Sequence, residues 1–159
     1  MNININTFNK WAQLGKDKSM AKNHEDSVNK MFEILKEQGF PFSKPFNFLD
    51  IGCGNGWVVR KILDYKECNF AHGIDGADNM IKIANSYNKG SFIKEDIDKY
   101  QFENKFNLIF SMETLYYLKD IAGLLRKIYN DGLHDNGILI IGLDHYKENK
   151  PSLSWGDDY

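Results

Sequence analysis

The chain has 159 residues, 42% of them hydrophobic, with 20 Lys and Arg against 22 Asp and Glu and a formal net charge of −2. That suits one domain with a packed core and offers no basic face for a polyanion, because Lys and Arg are interleaved with Asp and Glu, so nucleic acid is not an expected partner. No run of about 18 apolar residues occurs, and MNININTFNKW lacks the charged-then-apolar plan of a signal peptide, so no membrane partner and a cytoplasmic location are expected.

The first element with a clear period is a helix over about residues 24–38, where Val28, Met31, Phe32 and Leu35 recur at helical spacing and Gly39 stops it before Pro41 and Pro45. An apolar strand follows at 46–51, then a glycine-rich bend, then a helix at 56–65 carrying Val58, Val59, Ile62 and Leu63. A second strand, 70–75, leads into a helix that begins near Asp78, with Asp75 to Asp78 as candidate caps. A third strand spans 91–97 and a fourth 106–113. A helix at 119–134 with Ile121, Leu124, Leu125 and Ile128 on one face connects to a fifth strand at 137–143. Strands that alternate with helices predict a parallel sheet covered on both faces.

Within this frame the residues at the strand ends are the informative ones. Gly52, Gly54 and Gly56 stand at every second position directly after the first strand, where glycine lets a backbone approach a ligand and a helix start adds free N–H groups. A dinucleotide fingerprint places its third glycine three positions after the second; here the gap is two. Asp50, at the end of that strand, repels a pyrophosphate but suits a cation. Asp75 and Asp96 end the second and third strands, so three acids stand at the carboxyl edge of the sheet, where ligands bind in open α/β folds. An acid at a strand end is also a common helix cap, but the joint placement beside the glycine bend favours a cofactor site. Cys53 and Cys68 lack the spacing of a disulfide framework or metal site, and no metal is expected.

At this point the chain resembles the class I S-adenosylmethionine-dependent methyltransferases. The resemblance rests on LDIGCGNG at 49–56, GIDGADNMI at 73–81, KEDI at 94–97, NLIFSMETLYYL at 107–118 and LHDNGILII at 133–141. The flanks, FNKWAQLGKDKSMAKNH at 8–24 and DHYKENKPSLSW at 144–155, are similar to a small-molecule-type branch of that family. It implies a Rossmann-like, doubly wound, mostly parallel sheet in an α/β/α sandwich. The expected organisation is one domain: an N-terminal helical cap over 1–45, a cofactor-binding core over 46–143, and the start of a C-terminal part over 144–159. The family's strands six and seven are expected to be missing, since the residues after Leu143 are polar and rich in turn formers. An unpaired edge on strand five then makes self-association a further expectation.

The resemblance implies S-adenosyl-L-methionine as cofactor and a methyl transfer to a small-molecule acceptor, with S-adenosyl-L-homocysteine as product. It places Gly52, Cys53, Gly54 and Gly56 against the methionine part, and Asp50 toward its ammonium. Asp75, beside Gly76, takes the ribose hydroxyls. Asp96 takes the adenine amino group, Met80 and Ile97 sandwich the ring, and backbone oxygens near Ser111 and Met112 receive the ammonium. A sulfonium is already activated, so the protein need only align the acceptor and exclude water. No fixed catalytic pair is therefore required, and His24, Tyr116 and Tyr146 are the candidate catalytic residues, with His24 read as a residue opening a helix. Trp11, Met20, Glu113, Tyr117, His145 and Trp155 are further candidates near the acceptor. Two alternatives stay open: a module that binds the cofactor without turnover, and a nicotinamide-dependent oxidoreductase on a similar sheet.

Overall fold

The computed structural model describes residues 3–144. Two helices precede the sheet, α1 (Ile3–Gln13) and α2 (Asp17–Glu37), and the remainder alternates: β1 (Phe46–Ile51), α3 (Trp57–Ile62), β2 (Cys68–Asp75), α4 (Asp78–Ser86), β3 (Ser91–Lys94), β4 (Phe106–Met112), α5 (Ile121–Lys127) and β5 (Leu133–Gly142). The five strands form one sheet in the order β3-β2-β1-β4-β5, every neighbouring pair parallel. The chain crosses over between β3 and β4, so the carboxyl ends of β1 and β4 open a crevice, the place where open α/β sheets bind ligands.

Burial of β1 on both faces makes it the spine of the fold. Phe46 and Phe48 pack with Val28, Phe32 and Leu35 of α2 and with Val58, Val59 and Ile62 of α3. Leu49 and Ile51 pack on the other face with Ile109, Leu124 and Ile128. This is the three-layer sandwich expected from continuous apolar strands. Helix α2 ends as its sequence requires: Gly39 adopts φ 83° and the Phe40 N–H reaches back to the Leu35 carbonyl at 2.8 Å, which closes the orphan carbonyls of the last turn.

Several boundaries differ from the sequence reading, each for a local reason. Helix α2 begins at Asp17 rather than at residue 24, so His24 lies within the helix and does not open it. Strand β3 stops at Lys94 because Asp96 accepts the Asp98 N–H and starts a 3-10 turn over Ile97–Lys99. Within the expected 75–78 the N-cap of α4 is Ala77, which makes no side-chain cap bond, and Asp75 accepts the Ala77 N–H. The long fifth helix is instead α5 followed by a π turn over Ile128–Gly132, and β5 starts at Leu133 with an irregularity before Leu108 pairs Ile138. Helix α3 is shorter than expected, ending at Ile62.

Candidate active site

A cavity of about 140 Å³ opens at the carboxyl ends of β1, β2 and β4 and is roofed by α1 and α2. The glycine bend makes its floor. The N–H groups of Gly52 and Cys53 both donate to the Ile74 carbonyl, at 2.8 and 3.0 Å, which ties the end of β1 to β2. The Gly54 N–H then donates to Asp75 Oδ2 at 2.9 Å, while Asp75 Oδ1 accepts from Ala77 at 2.7 Å. One carboxylate thus orders the bend and the start of α4 at once, and its spare lone pairs remain for a ligand.

The three glycines have three different jobs. At Gly54 a side chain would meet nothing within 4 Å, so this residue leaves open space beside the cavity. A Cβ on Gly52 would sit 2.0 Å from Thr114 Oγ1, and one on Gly56 2.4 Å from the Phe92 ring. Gly52 therefore admits the loop after β4, and Gly56 lets α3 pack down onto the sheet. Each has positive φ, where an L side chain is strained.

Ten of the twelve residues expected to touch the cofactor line this cavity: Asp50, Gly52, Cys53, Gly54, Asp75, Gly76, Met80, Asp96, Ile97 and Met112. Gly56 and Ser111 do not. Gly56 serves packing, and Ser111 is buried with its hydroxyl donating to the Ile51 carbonyl at 2.8 Å, a brace between β4 and β1. Met80 is 2% exposed against Ala12 and Ala77, with Phe8 and Trp11 of α1 beside it. Asp96 lines the cavity while its Oδ1 accepts the Asp98 N–H of the 3-10 turn.

Burial sets the electrostatics. Asp50 is 3% exposed, and its carboxyl is pushed well above the usual carboxylate range by desolvation first and by the Asp75 charge second. Asp75 is raised too: burial outweighs the two N–H bonds that favour its charged form. Asp17 and Glu113 add two more carboxylates to the wall, and among the described lining residues no Lys or Arg offsets them. Such a cavity favours a cation. The Cys53 thiol is buried and raised, again by desolvation first, so it stays a neutral wall.

The acceptor side draws on more distant segments. His24 of α2, Glu113 and Tyr117 line the cavity. Tyr116 does not; its hydroxyl donates to Glu113 Oε2 at 2.7 Å, and burial together with that bond raises its pKa, so it is a hydrogen-bond donor and not a base. Trp11 lies outside the wall, edge-on to Phe8. Tyr146, His145 and Trp155 lie outside the described residues.

Sequence reasoning missed Asp17, Asn55, Asn4, Ile5 and Thr114. Asn55 donates to Asp17 Oδ2 at 3.0 Å and accepts the Trp57 N–H, and Arg60 donates to the Asn55 carbonyl at 2.6 Å. This pins the start of α2 to the glycine bend. The only sequence signal was a polar residue between two glycines. Ile5 lies over Gly76, where a Cβ would meet its Cδ1 at 2.7 Å, and Asn9 accepts the Asn79 N–H at 2.8 Å, which seats α1 on α4.

A family model described as a methyltransferase domain matches residues 49–141. The chain belongs to the class I S-adenosylmethionine-dependent methyltransferases. Malonyl-acyl-carrier-protein O-methyltransferase 2 of Ilyobacter polytropus is 35% identical over 115 residues, covering 68% of this chain and 44% of that protein. Sterol 24-C-methyltransferase of Kluyveromyces lactis is 34% identical over 89 residues, covering 51% of this chain and 24% of that protein. Among solved structures, a chain of the complex between the Haloferax volcanii Trm112 methyltransferase activator and a methyltransferase matches with TM-score 0.81 and 27% identity, over 95% of this chain and 66% of that one. The chain thus spans about half the length, or less, of these curated relatives. Family membership settles the choice of cofactor class against a nicotinamide. No described helix is long and apolar enough to cross a membrane.

Proposed function

We propose that the chain is the cofactor-binding part of an S-adenosylmethionine-dependent methyltransferase that moves a methyl group to a small-molecule acceptor by in-line displacement. The observation that carries this reading is one cavity, at the switch point of the sheet, walled by Asp50, Asp75 and Asp96 together with the glycine bend. Asp75 is suited to the ribose hydroxyls, Met80 and Ile97 to the faces of the adenine, and Asp50 to the positive end of the methionine part. The cofactor, when bound, supplies an activated methyl on a sulfonium. The chain's own part is to hold its cation among carboxylates, orient the acceptor and keep water out under α1.

The curated relatives act, by their names, on a carrier-bound malonyl group and on a sterol. The cofactor half is common to such enzymes and the acceptor half varies, which fits a cavity whose two sides come from different parts of the chain. The proposed compartment is the cytoplasm, in keeping with the free thiols of Cys53 and Cys68. Self-association through the outer edge of β5 is proposed as well, since Ile138 to Ile141 are only half-buried there.

Calorimetry with S-adenosylhomocysteine and with NAD tests the reading. Binding of the first and not of the second is the expected result. Binding of NAD alone would remove it, and cofactor binding without methyl transfer in a screen of acceptors would reduce the chain to a binding module.

A further inference from the structure

We propose that Asp50 is the residue by which the cavity distinguishes the cofactor from its demethylated product: it stands as an anion when the sulfonium compound is bound and as a neutral acid when the cavity is empty or holds the thioether. This rests on the methyltransferase reading of the cavity and specifies how one site exchanges one ligand for the other.

Asp50 pairs in register with Gly73 of β2, and Asp75 lies two residues further along that strand, so both carboxylates leave the same face of the sheet at neighbouring strand tips. They differ in what holds them. Asp75 accepts the Gly54 and Ala77 N–H groups, at 2.9 and 2.7 Å, two bonds that reward its charged form. Asp50 is 3% exposed, and among the described residues none donates a hydrogen bond to it. The side-chain space over Gly73 is filled by Cys53, whose Sγ would stand 2.7 Å from a Cβ there, so a neutral thiol takes the place beside Asp50 where a donor could have stood. A buried carboxyl with neither donor nor cation is held as the neutral acid.

The other groups around the cavity do not supply the missing cation. Asp17 and His24 of α2, Asp96 at the 3-10 turn, and Glu113 and Tyr117 after β4 share the lining with Asp75 and Cys53. His24 turns its Nδ1 to Asp144 Oδ2, 3.4 Å away. Arg60 of α3 is taken up by the Asn55 carbonyl at 2.6 Å and by the Tyr87 ring at 3.9 Å. Burial, followed by the Asp75 charge, accordingly holds the Asp50 carboxyl well above the usual carboxylate range.

The two ligands differ by one charge. The methionine part of the cofactor carries a sulfonium, an ammonium and a carboxylate and is net positive, whereas the product keeps only the last two and is net neutral. A cation brought into a cavity shielded from water favours the ionised form of a nearby acid, so binding of the cofactor releases the Asp50 proton to water. When the acceptor's lone pair attacks the methyl carbon, the carbon–sulfur bond breaks, its electron pair stays on sulfur, and the ligand loses its net charge. Asp50 then takes a proton back from water. The neutral product leaves a neutral acid, with no ion-pair attraction to hold it, while Asp75 serves the ribose that both ligands share.

The test is calorimetry on the full chain at mildly acidic pH, with S-adenosylmethionine and S-adenosylhomocysteine each titrated in two buffers of unlike ionisation heat, which counts the protons released on binding. Binding of S-adenosylmethionine should release protons that binding of S-adenosylhomocysteine does not, and the preference for the cofactor should rise with pH by up to about tenfold per unit below the Asp50 midpoint. Asp50→Asn should abolish the extra release and leave the preference level with pH. In the unaltered chain, 13C-labelled aspartate should show the Asp50 carboxyl protonated when free or with S-adenosylhomocysteine and ionised with S-adenosylmethionine at the same pH, a readout that does not depend on the variant's folding. Equal proton release by the two ligands, an extra release that survives in Asp50→Asn, or an Asp50 carboxyl already ionised in the free chain would each overturn the proposal. Binding of neither ligand would instead strike the methyltransferase reading, and the free-chain carboxyl would still report on Asp50.

Discussion

The two halves of the cavity are built on different principles. On the proposed cofactor side, the glycine bend, Asp75 and Asp96 lie within a few residues of a strand end, and backbone bonds to Ile74 together with N–H groups that donate to the Asp75 and Asp96 carboxylates position them. On the proposed acceptor side, His24, Glu113, Tyr116 and Asp144 come from α2, from the segment after β4 and from beyond β5, and one backbone bond from Glu113 to Gly142 and side-chain contacts join them. The first side is set by the sheet and should be stiff. The second depends on how α1 and α2 dock, so it can change among relatives without disturbing the cofactor.

Substitutions can test that division. The largest effect is expected at Gly56, where an alanine meets both a left-handed backbone and the Phe92 ring: Gly56→Ala should cost about 2–5 kcal/mol of stability by urea denaturation. The same change at Gly54, where nothing lies within 4 Å, should cost only about 1–2 kcal/mol. Equal losses at both would mean that packing does not distinguish the glycines. Next, Asp75→Ala should weaken S-adenosylhomocysteine binding by about 1–3 kcal/mol in calorimetry, the scale for unpairing buried hydrogen-bonding groups. An unchanged affinity would take Asp75 out of the site.

On the acceptor side, Tyr116→Phe should lower stability by about 1 kcal/mol through the lost bond to Glu113, leaving cofactor affinity alone. A drop in cofactor affinity there would show that the halves are coupled. The smallest change, and of opposite sign, is Asp50→Asn. A carboxyl raised by burial binds its proton more tightly in the folded chain than in the unfolded one. Its contribution is thus complete below the ordinary carboxylate range and lost as pH rises toward the raised value. Asp50→Asn should flatten part of that decline and slightly stabilise the chain at neutral pH, while S-adenosylmethionine binds less well. Asp75, also raised, should supply the slope that remains. A steeper decline in Asp50→Asn would contradict the assignment.

Local order was legible in the amino-acid sequence because its causes are local. Apolar runs gave the five strands, Gly39 the end of α2, and the alternate glycines with Asp50, Asp75 and Asp96 the ligand edge of the sheet. Even here the sequence was blind to what a glycine faces: Gly54 borders open space, whereas Gly52 and Gly56 admit Thr114 and Phe92, partners 62 and 36 positions away on chain segments that meet only after folding. Boundaries moved wherever a side chain competed with the backbone ladder, as Asp96 does at the end of β3.

The sequence by itself determined the sheet, its alternation of parallel strands and helices, and an edge of acids and glycines at the strand ends, since strand period and turn chemistry act over a few residues. Only the tertiary structure decided that Asp17 pins α2 to the bend, that α1 roofs the cavity, and that His24 meets Asp144. Those contacts join residues up to 120 positions apart, and no local preference of the chain encodes where two such segments come to rest.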